Sequence, residues 1–287
     1  MNILYATDYS DNSVNALRYT KFLGERINGK QYILHVFDNP ITLASTVSIA
    51  YSRKEKKVIE ENTERLKAFC SEHLGESPDD LNITLKVIEG STASDSIISF
   101  AKDIKADLIV VGMKGGSPIR EAFLGSTATN LLEKAPCPVL AVPEDITLKN
   151  IDTIIYATAL DLADISAIQE IVEWAKLFNA SINIVHISTK NEYAGEDQME
   201  WFKDMLKQNV DYGKMHFELS FSENVYEALQ QYIEKINPDI IAMLEREGYS
   251  LIKSIWHRDL VKRMKTDSKI PLLSYHKKNL NLELSFS

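Results

Sequence analysis

Short, almost uninterrupted apolar runs alternate along the chain with longer stretches in which apolar residues recur every three or four positions. The first run is ILYA (3–6), which reads as a buried strand. The helical pattern SDNSVNALRYTKFLGERI (10–27) follows, with Ala16, Leu17, Tyr19, Phe22, Leu23 and Ile27 on one face and Ser10 placed as N-cap. A second strand is predicted at YILHVF (32–37). A polar, small-residue loop then leads to a charged helix, KEKKVIEENTERLKAFCSEHL (54–74), and to a strand, ITLKVI (83–88). Helix SDSIISFAKDI (94–104), strand DLIVVG (107–112), helix STATNLLEKA (126–135) and strand PVLAV (138–142) complete the series. Strands apolar at nearly every residue, each separated by an amphipathic helix, predict an α/β unit. Its parallel sheet is covered on both faces.

The pattern then restarts. TIIYATALDLADISAIQEIVEWAKLFNASINIVHI (153–187) echoes the first two strands and the helix between them. Tyr-Ala-Thr at 156–158 repeats 5–7, and His186 repeats His35 at the same displacement. PDIIAML (238–244) echoes ADLIVVG (106–112), and IPLLSY (270–275) echoes CPVLAV (137–142). The chain therefore reads as an internal duplication. Its domains are 1–145 and 151–276, joined near PEDITLKN (143–150). A tail, 277–287, alternates Leu280, Leu282, Leu284 and Phe286 with polar residues, as a strand does. An edge strand on its own domain and a strand given to a partner subunit both fit that tail.

Composition narrows the function classes. The 287 residues are 45% hydrophobic and 25% charged, enough to bury a real core, and carry a formal net charge of −9. That balance argues against a nucleic-acid-binding face, which needs a basic surface. It leaves open a small anionic ligand held by backbone N–H groups. No apolar run is long enough to cross a bilayer, so no membrane role is expected. MNILYATDYS lacks the charged and apolar regions of a signal peptide. Cys70 and Cys137 stand far apart and in no CxxC pattern, so they read as small buried residues of a reduced, cytoplasmic protein.

The segment DLIVVGMKGGSPIREAFLGST (107–127) carries the candidate chemistry. Ligands of open parallel sheets sit beyond the carboxyl ends of strands, where strand order reverses. Gly112 ends a predicted strand, Gly115 follows it, and Gly125 precedes Ser126 and Thr127 at a predicted helix start. Glycines let backbone approach a ligand closely. A helix start supplies N–H groups and the positive end of the dipole. The combination reads as a phosphate cradle, with Lys114 and Arg120 as cationic neighbours. Ser126 as an ordinary N-cap is the structural alternative.

The spacing G-x2-G-x9-G-[ST] at Gly112, Gly115, Gly125 and Ser126, with ATDYS (6–10), LHVF (34–37) and APCPVLAV (135–142), resembles the universal stress protein family. The resemblance covers the whole chain as a tandem pair, with most motif strength in 1–143. It implies two Rossmann-like, five-stranded parallel sheets of order 3-2-1-4-5 with helices on both faces. In that family the motif marks the ATP-binding subclass, so ATP, with or without Mg2+, is the implied ligand. The resemblance places Ala6, Thr7 and Asp8 against adenine and ribose, and Val36 along the adenine slot. Met113 falls near ribose and base, and Gly112, Gly115, Gly125, Ser126 and Thr127 fall around the phosphates. Asp8 as an Asx-turn residue and Val36 as plain core are the structural alternatives. Tyr9 stands where the family most often has glycine, and is expected to narrow the entrance or alter the turn. Relatives with one domain pair through their last strand. PVLAV and PLLSY would make that contact within one chain as a pseudo-dimer, and two chains could associate further.

The second copy lacks the cradle. Ala159 matches Asp8, Leu244 matches Gly112, and Glu245 and Glu247 fall where phosphates would go, with His257 and Arg258 near the place of Gly125 and Ser126. One nucleotide per chain is the expectation. Glu245, Arg246, Glu247, His257 and Arg258 then read as a solvated or salt-bridged surface. No GxSxG, HExxH or Walker motif occurs, and His35 and His186 lie inside strands, where satisfied core histidines are expected. A nucleotide-binding stress-response regulator is the favoured reading. A slow ATPase, a phosphoryl or nucleotidyl transferase, and a ligand-free scaffold stay open.

Overall fold

The computed structural model describes residues 1–38, 49–113, 125–189, 195–245 and 270–280, the side chains of 49–55 excepted. The chain divides into two compact units, Met1–Ile146 and Thr147–Ser287.

In the first unit β1 (Asn2–Thr7), α1 (Asp11–Ile27), β2 (Lys30–Phe37), α2 (Ile49–Leu74), β3 (Ile83–Glu89), α3 (Ala93–Asp103), β4 (Leu108–Gly112), α4 (Ser126–Lys134) and β5 (Val139–Val142) follow in turn. The strands are ordered β3-β2-β1-β4-β5, and every neighbouring pair is parallel. α1 packs with α2, and α3 packs with α4. Leu4, Ile33, Leu108, Ile109, Val110 and Leu140 are wholly buried, as strands covered on both faces require. β1 turns alternate residues to opposite sides. Tyr5 and Thr7 face α1, where the Tyr5 hydroxyl donates to the Ser13 carbonyl (2.6 Å). Leu4 and Ala6 face the other layer.

Two local details depart from the sequence expectation. α2 begins at Ile49 rather than 54, because nothing in 49–53 is a glycine or proline that would stop the helix growing back. Pro78–Asp80 form a 3-10 turn that was not foreseen. Ser77 precedes it and accepts from the Asp79 amide.

The second unit comprises β6 (Thr153–Ala157), α5 (Leu162–Phe178), β7 (Ser181–Ser188), α6 (Gly195–Asn209), β8 (Met215–Phe221), α7 (Val225–Ile236), β9 (Ile240–Glu245) and β10 (Leu272–His276). Its order, β8-β7-β6-β9-β10, repeats the first, again with parallel neighbours. Of the tail, Lys277–Asn279 make one 3-10 turn and Leu280 is buried. Leu282, Leu284 and Phe286 lie outside the described residues.

The duplication extends to single hydrogen bonds. Asp107 accepts from the amide of Asn2 (2.6 Å), and its counterpart Asp239 accepts from Asp152 and Thr153 (both 2.8 Å). His35 bonds the Thr7 carbonyl through Nδ1, and His186 bonds the Thr158 carbonyl likewise, each at 2.9 Å. A carbonyl only accepts, so both rings carry the proton on Nδ1. Asn28 and Asn179 close α1 and α5 in the left-handed conformation, which asparagine tolerates. Cys70 and Cys137 are buried, and burial pushes the Cys70 thiol up to about 12.

Candidate functional site

A cavity opens at the carboxyl ends of β1 and β4 in the first unit. The order β3-β2-β1-β4-β5 reverses between these two strands, and their ends splay apart there to leave a crevice. It holds about 800 Å3 of empty space, counting the part open to solvent.

Ala6, Thr7 and Asp8 arrive from the end of β1, and Leu34 and Val36 from one face of β2. Val111 and Gly112 come from β4, and Gly125, Ser126, Thr127 and Ala128 from the start of α4. Ala93 and Ile97, one turn apart on α3, and Ser13 from α1 complete the wall. One side is therefore an apolar slot, made by Leu34, Val36, Ala93, Ile97 and Val111. The other is a polar end, made by hydroxyls and a helix start. Gly125 is the N-cap of α4 and has no side chain to cap it, and the first turn contains no acidic residue. The helix dipole there favours an anion. Among the described lining residues Asp8 is the single charged side chain.

Of the residues singled out from sequence, Ala6, Thr7, Asp8, Val36, Gly112, Gly125, Ser126 and Thr127 meet at this cavity. Gly115, Lys114 and Arg120 lie outside the described residues. Met113 is placed differently. Its side chain is buried and is not part of the wall. Its backbone ties two elements together, donating to the Val142 carbonyl (2.8 Å) and accepting from the Gly125 amide (2.7 Å). Asp8 combines both of its readings. Its Oδ1 accepts from the Ser10 amide (3.1 Å) and hydroxyl (2.6 Å), an Asx-turn, while the residue lines the cavity. Ser10 is the N-cap by position, but its hydroxyl is spent on Asp8 and caps nothing. Ser126 is the first helical residue and not the cap.

Sequence reasoning missed Ser13, Leu34, Val111, Ala128, Ala93 and Ile97. Leu34 was within reach, since strand alternation puts it on the face of Val36. Nothing in the sequence marks α3 as a wall.

Tyr9 does not narrow this cavity. Its φ of 63° turns the chain so that the ring leaves on the α1–α2 side of the sheet. There it stacks on His35 (centroids 4.2 Å apart) and meets Phe69 edge-on (5.3 Å), with the Arg65 guanidinium 4.4 Å from the ring centre. Burial pushes the Tyr9 hydroxyl up to about 12, against the pull of Arg65.

Burial holds the half-buried His35 below the ordinary histidine value, although its bond to the Thr7 carbonyl works the other way. The unfolded chain therefore takes up the proton first. Stability is full above the unfolded value and is lost as pH falls through it towards the folded one. Urea midpoints followed by circular dichroism should drop between about pH 7 and pH 5, and the drop should shrink in a His35→Gln variant. An equal drop in that variant would assign it to other groups.

The second unit carries different residues at the same place. Ala159 stands for Asp8, and Leu244 stands for Gly112 with 1% of its surface exposed. Glu245 matches Met113. It was expected on a solvated or salt-bridged surface, and it is 5% exposed at the end of β9, in register with His276. The position faces inward in both units. Asp164 takes the place of Ser13. Its wholly buried carboxylate accepts from the Tyr156 hydroxyl (2.7 Å), the Thr158 hydroxyl (2.8 Å) and the amides of Ala159 (3.1 Å) and Asp161 (3.0 Å). Arg246, Glu247, His257 and Arg258 lie outside the described residues.

Residues 1–143 match the model of the universal stress protein family. A universal stress protein of Methanocaldococcus jannaschii is 30% identical over 142 residues, which are 49% of this chain and 80% of that protein. The chain belongs to the universal stress protein family. Another universal stress protein, from Bacillus subtilis, is 31% identical over 146 residues, 49% of this chain and 97% of its own length. The crystal structure of a universal stress protein from Archaeoglobus fulgidus is similar over 96% of this chain and 98% of its own, with a TM-score of 0.67 at 18% identity. At that identity the likeness speaks for the universal stress protein fold, here present twice.

Proposed function

We propose that this universal stress protein binds one adenine nucleotide, ATP, in the first unit, and acts in the cytoplasm as a stress-response regulator whose state follows nucleotide occupancy. One observation carries the reading. Gly112 is extended within β4 and Gly125 has φ −62° and ψ 156°, conformations open to any residue. The equivalent of Gly112 in the second unit is a leucine in an equally regular strand. The fold therefore does not need glycine there, whereas a ligand lying against the backbone does. The apolar slot suits a flat base, and the uncapped start of α4 suits phosphate.

No group of three metal-ligating side chains occurs among the described residues. In this reading Mg2+ would enter with the phosphates. Pairing of the two halves within one chain, and of two chains, belongs to the same proposal.

Native mass spectrometry of protein purified without added nucleotide, and calorimetry with ATP, test the reading. One nucleotide per chain is expected. Absence of binding at millimolar ATP, with and without magnesium, would leave the ligand-free scaffold. Release of ADP that is lost in a Gly125→Asp variant would add slow hydrolysis.

A further inference from the structure

The turn that presents Asp8 is built differently in the two units. Its central residue is left-handed in both, Tyr9 at φ 63° and Leu160 at φ 58°. For a bulky side chain that conformation is strained and persists only when its surroundings hold it. In the second unit the Asp164 carboxylate holds the turn from inside, through the amides of Ala159 and Asp161. The first unit has Ser13 at that place, and the Ser13 hydroxyl pairs with Thr7 (3.0 Å). Its turn keeps other ties: the Tyr9 amide donates to the Thr7 hydroxyl (3.0 Å), Ser10 donates to Asp8, and the Ser13 hydroxyl donates to the Ser10 carbonyl (2.7 Å). The first two lie within the turn itself, and the third joins residue 10, not residue 9, to the start of α1. Among the described residues, the link from residue 9 to a helix outside the turn is its ring, wedged between His35 and Phe69 under Arg65.

We infer that Tyr9 is a positioning residue for the nucleotide site, which anchors the β1–α1 turn to α2 and so fixes Asp8 at the cavity before ligand arrives. The inference rests on the nucleotide-binding reading and adds to it a device on the opposite side of the sheet. Preorganisation of this kind saves ordering entropy on binding. A glycine at position 9 would relieve the strain but free the turn. The Tyr9 hydroxyl is buried and meets no hydrogen-bond partner among the described residues, so the ring, and not the oxygen, does the anchoring.

ATP affinities of wild type, Y9F, Y9G, D8A and the D8A/Y9G pair, measured by calorimetry, test this. Amide exchange across residues 8–10 of nucleotide-free protein is the second readout. Y9F should bind within about twofold of wild type, and Y9G about fivefold more weakly. In the D8A background the glycine should cost less than about 1.5-fold, because the residue acts through Asp8. Exchange at Ser10 should quicken in Y9G and not in Y9F. A folded Y9G that binds as wild type overturns the inference, as does an undiminished loss in the D8A background. If wild type binds no ATP, the functional reading fails by itself. The exchange comparison then decides whether Tyr9 holds the turn, and equal rates in Y9G and wild type reject it.

Discussion

Replacing Gly112 by leucine should abolish ATP binding by the first unit, weakening it by at least about a hundredfold, while leaving the unit folded. The leucine side chain would leave β4 on the face of Tyr5 and Val110, at the rim of the crevice that Gly112 lines. A ligand could then no longer lie against the backbone at 112. Stability should hold, because the second unit buries a leucine at the equivalent position. Leu244 shows that a strand of this fold accepts leucine there, in register with Tyr275 and almost wholly buried. Calorimetry and thermal shift with and without ATP read both sides of the expectation. Binding within threefold of wild type would mean that nothing needs the bare backbone at 112, and the ligand reading would lose its main support.

The strands and most helices were legible because a doubly covered parallel sheet writes them as apolar runs, and its helices as periodic stripes. The duplication was legible because residues at matching places in the two units, Tyr5 with Tyr156 and His35 with His186, kept the same displacement. Much of the cavity followed from one rule, that ligands gather at the strand ends where order reverses. What sequence missed depends on direction. The identity of residue 9 does not reveal that a left-handed backbone sends its ring away from the cavity. Met113 sits between glycines and reads as a wall residue, yet its side chain is buried and is not part of the wall. The exchange of Ser13 for Asp164 reads as one helix-start residue replacing another. Only the positions of four donors show the second as a buried anion. The 3-10 turn at Pro78–Asp80 is set by one side-chain cap and one proline, too short for any periodic signal.

Asp164→Ala is expected to destabilise the second unit by roughly 3–5 kcal/mol, as removal of one member of a buried charged network does. The truncation strands the hydroxyls of Tyr156 and Thr158 and two turn amides. Each buried group left unpaired costs about 1–3 kcal/mol. It also breaks the capping box of α5, in which Asp161 and Asp164 satisfy each other's amides. Relief of the desolvated carboxylate offsets part of this, so the losses do not simply add. Asp164→Ser imitates the first unit, keeping an acceptor for Thr158 while freeing the amides of Ala159 and Asp161. It should fall between alanine and wild type. The readout is favourable, since Trp174, Trp201 and Trp256, the three tryptophans of the chain, all belong to the second unit. Urea unfolding followed by tryptophan fluorescence therefore reports that unit alone, and its midpoint should move to lower urea. ATP binding, which the first unit would carry, should survive in mild urea past that midpoint. A loss below about 1 kcal/mol would show that water or a shifted turn satisfies the four donors. The carboxylate would then be no more than one helix cap, and the second unit's turn could not be called closed by its own anion.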